Sequence, residues 1–167
     1  MIVSIIAAMS QNGVVGKNGV LPWKNAEEMK FFKEKTTNHP VIMGRKTWDS
    51  LQIKPLKNRF NIIVTRNKTL LNSPIYDDDT LFVESVEDAL DASMDSTAET
   101  FIIGGTEIWK HALDQEYVDR MYLNILNDSV AGDAFFPYYN VNGWVKEESK
   151  EPYKTFKSYT LIKRPVE

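Results

Sequence analysis

One glutamate in the first predicted helix, Glu28, stands where its carboxyl group could carry acid–base chemistry. Phe31 and Phe32 follow it at i+3 and i+4, so its side chain leaves the helix among aromatic rings. Glu27, by contrast, has Lys30 three residues on, which can keep its carboxylate in solvent. Burial among apolar groups raises the pKa of a carboxyl group and lets it hold or pass a proton near neutrality. Most helical glutamates are simply solvated, so the pattern alone leaves both interpretations of Glu28 open.

A strand followed by a glycine and two cations indicates an anion site at residues 41–47. Gly44 ends the strand, and a helix then begins with Arg45, Lys46 and Thr47. The first N–H groups of a helix are unpaired and positively polarised, so they attract phosphate. The segment is not a Walker loop, because no glycine stands five residues before Gly44. A capped helix with two exposed cations is the alternative.

Two more strand ends carry groups of the same kind. The apolar segment 101–103 is followed by Gly104 and Gly105 and then by a helix, and Thr65 and Arg66 follow another strand. Adjacent glycines let a backbone pass close to a ring or a phosphate, although the dinucleotide fingerprint G-x-G-x-x-G is absent. Three such strand ends together favour a nucleotide with several phosphates.

A glycine-rich segment and one arginine complete the candidate site. Gly13, Gly16 and Gly19 lie within seven residues, which predicts either an ordinary surface loop or a mobile loop that approaches a ligand. Trp23 follows that segment and favours the second interpretation. Arg59 stands near a turn and could grip a ligand carboxylate through two parallel hydrogen bonds, although surface arginines are commoner.

Composition excludes several classes of protein. The 167 residues contain no cysteine, so disulfides, thiolate metal sites and cysteine nucleophiles are absent. The two histidines, His39 and His111, lie far apart, and we expect both to be structural and no metal to be bound. The net charge of −3 argues against nucleic acid and anionic membranes. No apolar segment approaches the roughly 18 residues of a membrane span, and the first residues lack a basic signal-peptide region. We therefore expect a soluble, cytoplasmic, monomeric single domain.

The predicted strands and helices that must position these residues indicate an α/β protein. Most apolar segments of strand length are continuous, which is typical of parallel strands covered on both faces. The last forty residues contain two strand candidates and no helix, so a terminal antiparallel hairpin is predicted. We expect a mostly parallel sheet of about eight strands with an antiparallel C-terminal edge, flanked by about four helices. The helices are predicted from Asn25 to about Lys35, over 45–51, from Ser85 to about Ser93 and over Thr106–Leu113. Such sheets bind ligands outside the carboxyl ends of their strands.

The order of the motifs resembles the dihydrofolate reductase family from Ile2 to about Leu161, nearly the whole chain. The most specific block is the nonapeptide from Pro40 to Trp48. The other matching motifs are Ile6-Ala7-Ala8, Val15-Gly16, Leu21-Pro22-Trp23, Pro55-Leu56 with Arg59, Ile103-Gly104-Gly105, and Gly132-Asp133 with Phe136-Pro137.

The resemblance implies NADPH-dependent reduction of 7,8-dihydrofolate to 5,6,7,8-tetrahydrofolate, with hydride transfer to C6 and protonation at N5. It also implies one domain over 1–167, with an adenosine-binding subdomain at roughly 39–105, and binding of dihydrofolate and antifolate inhibitors. Glu28 would hold the pterin, and Arg59 the α-carboxylate of the glutamate tail. The implied catalytic residues are Glu28, Leu21, Trp23 and Asn124. The implied pocket residues are Ile6, Ala8, Met29, Phe32, Ser50, Leu51, Leu56, Ile103 and Asn124.

The resemblance also places the cofactor. Val14–Leu21 would be a lid over the nicotinamide, and Gly104-Gly105 a turn with a cis peptide bond. Arg45 and Arg66 would favour the 2′-phosphate of NADPH. The implied cofactor residues are Ala8, Val14, Val15, Gly16, Lys17, Gly19, Val20, Arg45, Lys46, Thr47, Thr65, Arg66, Gly104, Gly105, Thr106, Glu107, Ile108 and Trp109.

The chain departs from the family pattern at three of these positions. Glu28 stands where many bacterial members carry Asp, Asn124 replaces a threonine that usually hydrogen-bonds that carboxylate, and Trp109 replaces a Tyr or Phe. Two other functions stay open at this point. One is a pterin- or pyrimidine-reducing relative in riboflavin synthesis. The other is a catalytically idle protein that binds folate or nucleotide.

Overall fold

The apolar segments of the sequence form the centre of a nine-stranded sheet in this computed structural model, which describes residues 1–18, 23–73, 75–94 and 98–166. A second sheet pairs two short strands. In chain order the strands are β1 (Ile2–Met9), β2 (Val14–Gly16), β3 (Val41–Gly44), β4 (Asn61–Val64), β5 (Ile75–Asp77), β6 (Thr80–Val83), β7 (Glu99–Gly104), β8 (Arg120–Leu126), β9 (Ala134–Phe135), β10 (Trp144–Glu148) and β11 (Phe156–Lys163).

The main sheet has the strand order β10-β11-β8-β1-β7-β3-β4-β6-β5. The six strands from β8 to β6 are parallel to one another. β11 is antiparallel to β8, and β10 forms the last hairpin with β11. The predicted mostly parallel sheet with an antiparallel C-terminal edge is therefore confirmed.

The sheet also contains a ninth strand, β5, that the sequence does not predict. β5 has three residues and pairs antiparallel with β6 across a turn made by the acidic segment 77–79. In this turn the N–H of Asp79 donates to the side chain of Asp77 at 2.8 Å. Strands β2 and β9, of three and two residues, form a separate two-stranded sheet. Pairs of two or three residues have no apolar segment of strand length, so only the partner strand defines them.

Five α-helices cover the sheet in the described part of the chain. Asn25 caps the first helix by accepting from the N–H of Glu28, and Ser85 caps the fourth by accepting from Asp88, as the sequence predicts. The short third helix was not predicted. The helices are α1 (Ala26–Thr36), α2 (Arg45–Ser50), α3 (Lys68–Asn72), α4 (Val86–Ser93) and α5 (Thr106–Asp114).

The core forms two clusters, and both contain side chains from the central strands. One cluster contains Phe31 of α1 and Trp48 of α2, and the other contains Ala89 of α4 and Trp109 of α5. Each fully buried aliphatic side chain contributes roughly 1.5–3 kcal/mol to the free energy of folding, so these two clusters supply most of the stabilisation of the fold. No helix among the described residues is long and apolar enough to cross a membrane.

Candidate active site

The parallel strands bring the predicted site residues to one edge of the sheet. Ala8 of β1 lies beside Asn124 of β8 in the strand register. Farther along the same edge, Met43 lies beside Gly104, and Gly44 lies beside Val64. Two groups of residues follow from this alignment: an acid with its neighbours near β1 and β8, and the glycine-bearing strand ends at β7, β3 and β4.

Glu28 is buried, with 8% of its surface exposed. Its backbone N–H donates to the Asn25 side chain at 3.0 Å, which fixes Glu28 in the first turn of α1. Desolvation raises the pKa of the Glu28 carboxyl group to about 7, and the Asn124 amide acts in the opposite direction. Of the two interpretations that the sequence leaves open for Glu28, the packing favours the acid with a raised pKa. A carboxyl group in this state can donate a proton near neutral pH.

Asn124 faces this acid from β8. Its side chain is fully buried, and neither its Nδ2 nor its Oδ1 has a hydrogen-bond partner in the described part of the chain. It lies close enough to lower the pKa of Glu28 without reaching the geometry of a direct hydrogen bond. Since an unsatisfied buried polar group costs about 1–3 kcal/mol, the amide is suited to a polar ligand edge.

Arg59 is the second buried ionic side chain, also 8% exposed. Its Nε donates to the carbonyl oxygen of Lys57 at 2.9 Å, and its Nη1 donates to Oγ1 of Thr36 at 3.1 Å. Its guanidinium carbon lies 5.9 Å from the centre of the Phe32 ring, and burial lowers its pKa. No carboxylate of the described residues pairs with it. The guanidinium group is therefore anchored, and its charge is available to a ligand.

The two buried ionic groups lie at opposite ends of α1. Glu28 is in the first turn, and Thr36, which holds Arg59, is the last residue of the helix. Eight residues of α-helix separate them, which is about 12 Å along the helix axis at about 1.5 Å per residue. A ligand that reaches both must be elongated, with hydrogen-bonding groups at one end and a carboxylate at the other.

Apolar side chains pack around Phe31 of α1. Several predicted pocket residues pack into one cluster on this face of the sheet, whereas Met29 is 63% exposed and Ser50 is also exposed. The hydroxyl of Ser50 donates to the carbonyl oxygen of Thr47 at 2.7 Å. Ala8 is half-buried on β1. The clustered residues are Ile6, Trp23, Phe32, Leu51, Leu56 and Ile103.

The glycine-bearing strand ends leave two helix N-termini open. Gly44 and Gly105 are the N-cap residues of α2 and α5, and neither helix has a side-chain cap. A Cβ atom on Gly44 would lie 3.1 Å from Ile108, and one on Gly104 would lie 3.2 Å from Trp109. The Gly104–Gly105 peptide bond is cis, as the resemblance implies. Unpaired N–H groups and a bare backbone together suit a phosphate-bearing ligand.

The predicted cations surround these helix ends. Arg45 is half-buried and its Nε pairs with both carboxylate oxygens of Asp49 at 3.0 Å, while Lys46 and Arg66 are exposed. Thr65 is buried and its hydroxyl accepts from the N–H of Asn67 at 3.1 Å. These positions bring positive charge to the ends of β3 and β4, beside the bare glycines at the end of β7, so the residues present fit a dinucleotide with several phosphates.

Four predicted cofactor residues on α5 differ in their exposure. Trp109 is a core residue whose Nε1 donates to the carbonyl oxygen of Ile102 at 3.0 Å, so it supports the Gly104 backbone from below. The hydroxyl of Thr106 donates to the carbonyl oxygen of Phe135 at 2.9 Å. Ile108 is half-buried and Glu107 is exposed. Thr47 of α2 lies near both glycines, with its Oγ1 3.7 Å from a Cβ position on Gly105.

The first part of the predicted lid is anchored to the segment before β9. Val14 and Val15 are buried, whereas Lys17 is exposed. The N–H of Asn18 donates to both carboxylate oxygens of Asp133, at 3.2 and 3.0 Å, and the N–H of Asp133 donates to the carbonyl oxygen of Gly16 at 3.0 Å. The predicted site residues Gly19, Val20 and Leu21 lie outside the described residues.

A sequence model of dihydrofolate reductase matches residues 2–163. The chain belongs to the dihydrofolate reductase family. This family reduces dihydrofolate to tetrahydrofolate with NADPH, and the chain is an NADPH-dependent dihydrofolate reductase. The assignment replaces both alternatives that the sequence left open.

Individual relatives support this dihydrofolate reductase assignment. The chain is 38% identical over 141 residues to the dihydrofolate reductase of Buchnera aphidicola subsp. Acyrthosiphon pisum (strain APS), covering 84% of this chain and 82% of that protein. It is 39% identical over 137 residues to dihydrofolate reductase type 6 of Proteus mirabilis, covering 82% of each. The solved dihydrofolate reductase of Enterococcus faecalis complexed with NADP(H) and RAB-propyl is similar in fold, with a TM-score of 0.80 and 29% identity, covering 98% of this chain and 97% of that one.

Sequence reasoning missed two of the reductase's supporting residues. Thr36 is fully buried and positions Arg59, while its hydroxyl also donates to the carbonyl oxygen of Phe32 at 2.8 Å. Thr155 is distant in sequence but contacts the first turn of α1. A threonine at the end of a helix is a weak signal in a single sequence. No local pattern at residue 155 points to α1, so only the tertiary structure identifies Thr155.

Proposed function

We propose that Glu28 and Asn124 bind the amino-pyrimidine edge of the dihydrofolate pterin, and that Glu28 favours protonation at N5. Support comes from the raised pKa of Glu28, the unpaired amide of Asn124 and the burial of both side chains. Near pH 7 a large fraction of Glu28 carries a proton, which the group can pass on directly or through water. Trp23 is half-buried in the hydrophobic cluster that contains Phe31, and it helps to exclude solvent from the first turn of α1.

We propose that Arg59 binds the α-carboxylate of the glutamate tail of dihydrofolate. The guanidinium group lacks a carboxylate partner among the described residues, and a buried charge without a partner is costly. A pterin at Glu28 and a carboxylate at Arg59 match the two buried groups at opposite ends of α1. This pair of buried ionisable groups, held at Glu28 and at Thr36 about 12 Å apart along the helix axis, is the observation that carries the proposal.

We propose that the helix N-termini behind Gly44 and Gly105 hold the pyrophosphate region of NADPH. When bound there, NADPH supplies the hydride that reduces the substrate. Arg45 and Arg66 bring charge for the 2′-phosphate, and Thr47 and Thr65 offer hydroxyl groups close to the strand ends. The segment 14–18 lies at the nicotinamide end, and residues at roughly 39–105 form the adenosine-binding subdomain.

We also propose that the reductase binds antifolates at Glu28 and Arg59, and that it works as a monomer in the cytoplasm without nucleic acid or membrane partners. An antifolate that carries both an amino-pyrimidine ring and a carboxylate matches the Glu28 carboxyl group and the Arg59 guanidinium group. Sedimentation of the purified protein and fractionation of its host cells test the last two statements.

The acid and the tail site are tested by two variants with matched controls. Glu28→Gln should lower hydride transfer at neutral pH by about 10²–10⁴-fold, the usual contribution of a general acid. Glu34→Gln removes the same charge from the exposed face of α1, where Glu34 pairs only loosely with Lys30 at 3.9 Å, and should change little. A wild-type rate for Glu28→Gln would contradict the role of Glu28.

Arg59→Ala should raise the dissociation constant of dihydrofolate by about tenfold to 150-fold, because a hydrogen bond to a charged group contributes about 1.5–3 kcal/mol. The hydride-transfer rate of bound substrate should change far less. The control is Lys57→Ala, a neighbouring exposed cation whose carbonyl oxygen still accepts from Arg59. A substrate analogue without the tail carboxylate should bind Arg59→Ala and wild type equally. Unequal binding of that analogue would contradict the tail role.

A further inference from the structure

The loop between β10 and β11 is tied to the first turn of α1 through a carboxylate that the reaction does not use. Glu27 Oε1 accepts from the hydroxyl of Thr155 at 2.6 Å and from its backbone N–H at 3.0 Å. The N–H of Lys154 donates to both oxygens of Glu27, at 3.1 and 3.0 Å. Three donors from a segment more than 120 residues away therefore converge on one carboxylate, and these hydrogen bonds lower the pKa of Glu27.

The same threonine is connected to the backbone of the catalytic acid. The Thr155 hydroxyl has one proton, and its bond to Glu27 at 2.6 Å is shorter than its approach to Asn25 Oδ1 at 3.2 Å. Asn25 Nδ2 donates to the Thr155 oxygen at 2.9 Å, and Asn25 Oδ1 accepts from the N–H of Glu28 at 3.0 Å. Thr155 thus fixes which atom of the Asn25 amide faces the helix.

Aromatic side chains attach the same loop to the middle of α1. The Tyr153 ring stacks on Phe156 with a centroid separation of 4.5 Å and meets the edge of Phe31 at 5.7 Å. Phe31 is buried on the face of α1 that packs against the sheet. The loop therefore contacts α1 both at its first turn and one turn later, on either side of Glu28.

We propose that Thr155 is a positioning residue for Glu28: together with Glu27 and Asn25 it holds the first turn of α1 so that the Glu28 carboxyl stays buried beside Asn124. The inference rests on the proposed role of Glu28 as the acid. Without the Thr155 hydroxyl, the Asn25 amide loses the partner that orients it, and the first turn of α1 can move away from β8. Water then reaches Glu28.

Because Glu28 titrates, loss of the Thr155 hydroxyl should change the pH dependence of hydride transfer. Apart from burial, Asn124 of β8 is the group in the described part of the chain that acts on the pKa of Glu28. On the loop side, Lys154 and Tyr153 are the titratable neighbours of Glu27. Hydration of Glu28 lowers its pKa towards the ordinary 4.5. The variant should therefore lose protonated acid at high pH but keep it at low pH.

The test is Thr155→Val, which is nearly isosteric and keeps the backbone N–H that donates to Glu27. We expect hydride transfer to fall about threefold to tenfold near pH 8 and less than about twofold near pH 5.5, a part of the roughly 10²–10⁴-fold acid contribution. Thr155→Ser restores the hydroxyl and should restore the wild-type profile. Glu27→Gln places an amide N–H against the N–H of Lys154 and should act in the same direction as Thr155→Val.

An equal loss at both pH values would show that Thr155 merely supports the fold, and an unchanged profile would show that it does not position Glu28. Either result overturns the inference. If Thr155→Val does not fold, the decision rests on Glu27→Gln, with Glu34→Gln as its control. Failure of the proposed function appears separately, because Glu28→Gln then keeps the wild-type rate whatever the Thr155 variants do.

Discussion

Replacing the buried acid should stabilise the protein in a way that depends on pH. The pKa of Glu28 is about 7 in the folded chain against an ordinary value of 4.5, so the two states differ by about 2.5 pH units. Below pH 4.5 the group is protonated in both states and folding carries no penalty. As the pH rises from 4.5 to 7 the unfolded chain ionises first, and the folded state loses up to about 3 kcal/mol, at roughly 1.4 kcal/mol per unit.

Glu28→Gln has the same shape and no ionisation, so it avoids this loss. Its free energy of unfolding minus that of the wild type should rise by up to about 3 kcal/mol between pH 4 and pH 8, which corresponds to about 6–12 °C in melting temperature for a chain of this size. Urea unfolding of the ligand-free proteins at several pH values measures it, with Glu34→Gln as the exposed control. A difference that is flat across this range would refute the assignment of a buried, neutral carboxyl group.

Two further predictions concern the cofactor side. Arg66→Ala should lower kcat/KM for NADPH by about tenfold to 150-fold, because a hydrogen bond to a charged group contributes about 1.5–3 kcal/mol, and it should leave kcat/KM for NADH nearly unchanged. Steady-state kinetics with both cofactors measures this. Equal losses for NADPH and NADH would assign Arg66 to another part of the cofactor. Gly132→Ala should destabilise the β2–β9 pairing by about 1–3 kcal/mol, because the added methyl group would press into Val14 and lie 2.6 Å from the carbonyl oxygen of Gly16. Slower hydride transfer at unchanged dihydrofolate affinity is expected in stopped-flow traces, and a wild-type rate would separate this contact from lid function.

Local chemistry made part of this protein predictable. Asn25 caps α1 because a short polar side chain can accept from an N–H three residues on, and that bond depends only on nearby residues. Phe31 and Phe32 predicted an apolar environment for Glu28 because helical neighbours at i+3 and i+4 share a face. Continuous apolar segments predicted the parallel strands because such strands are covered on both sides.

Other features depend on segments that are distant in sequence. Arg59 reads locally as a surface residue, and its burial follows from the packing of its turn against Thr36 and Phe32. Strand β5 forms because its backbone can pair with the free edge of β6. Asn124 has no hydrogen-bond partner among the described residues, because β1 and β11 on either side of β8 enclose it without offering one.

The sequence by itself determined the longer strands and helices, their order and the glycine-bearing strand ends, and it made Glu28 a candidate acid, because periodicity, capping and composition act over a few residues. The tertiary structure alone decided that one helix spans the distance between a neutral carboxyl group and an anchored guanidinium group, and that a loop near the end of the chain holds that helix. Burial and long-range hydrogen bonds are properties of packed neighbours, and a neighbour 23 or 128 residues away leaves no mark on the local pattern.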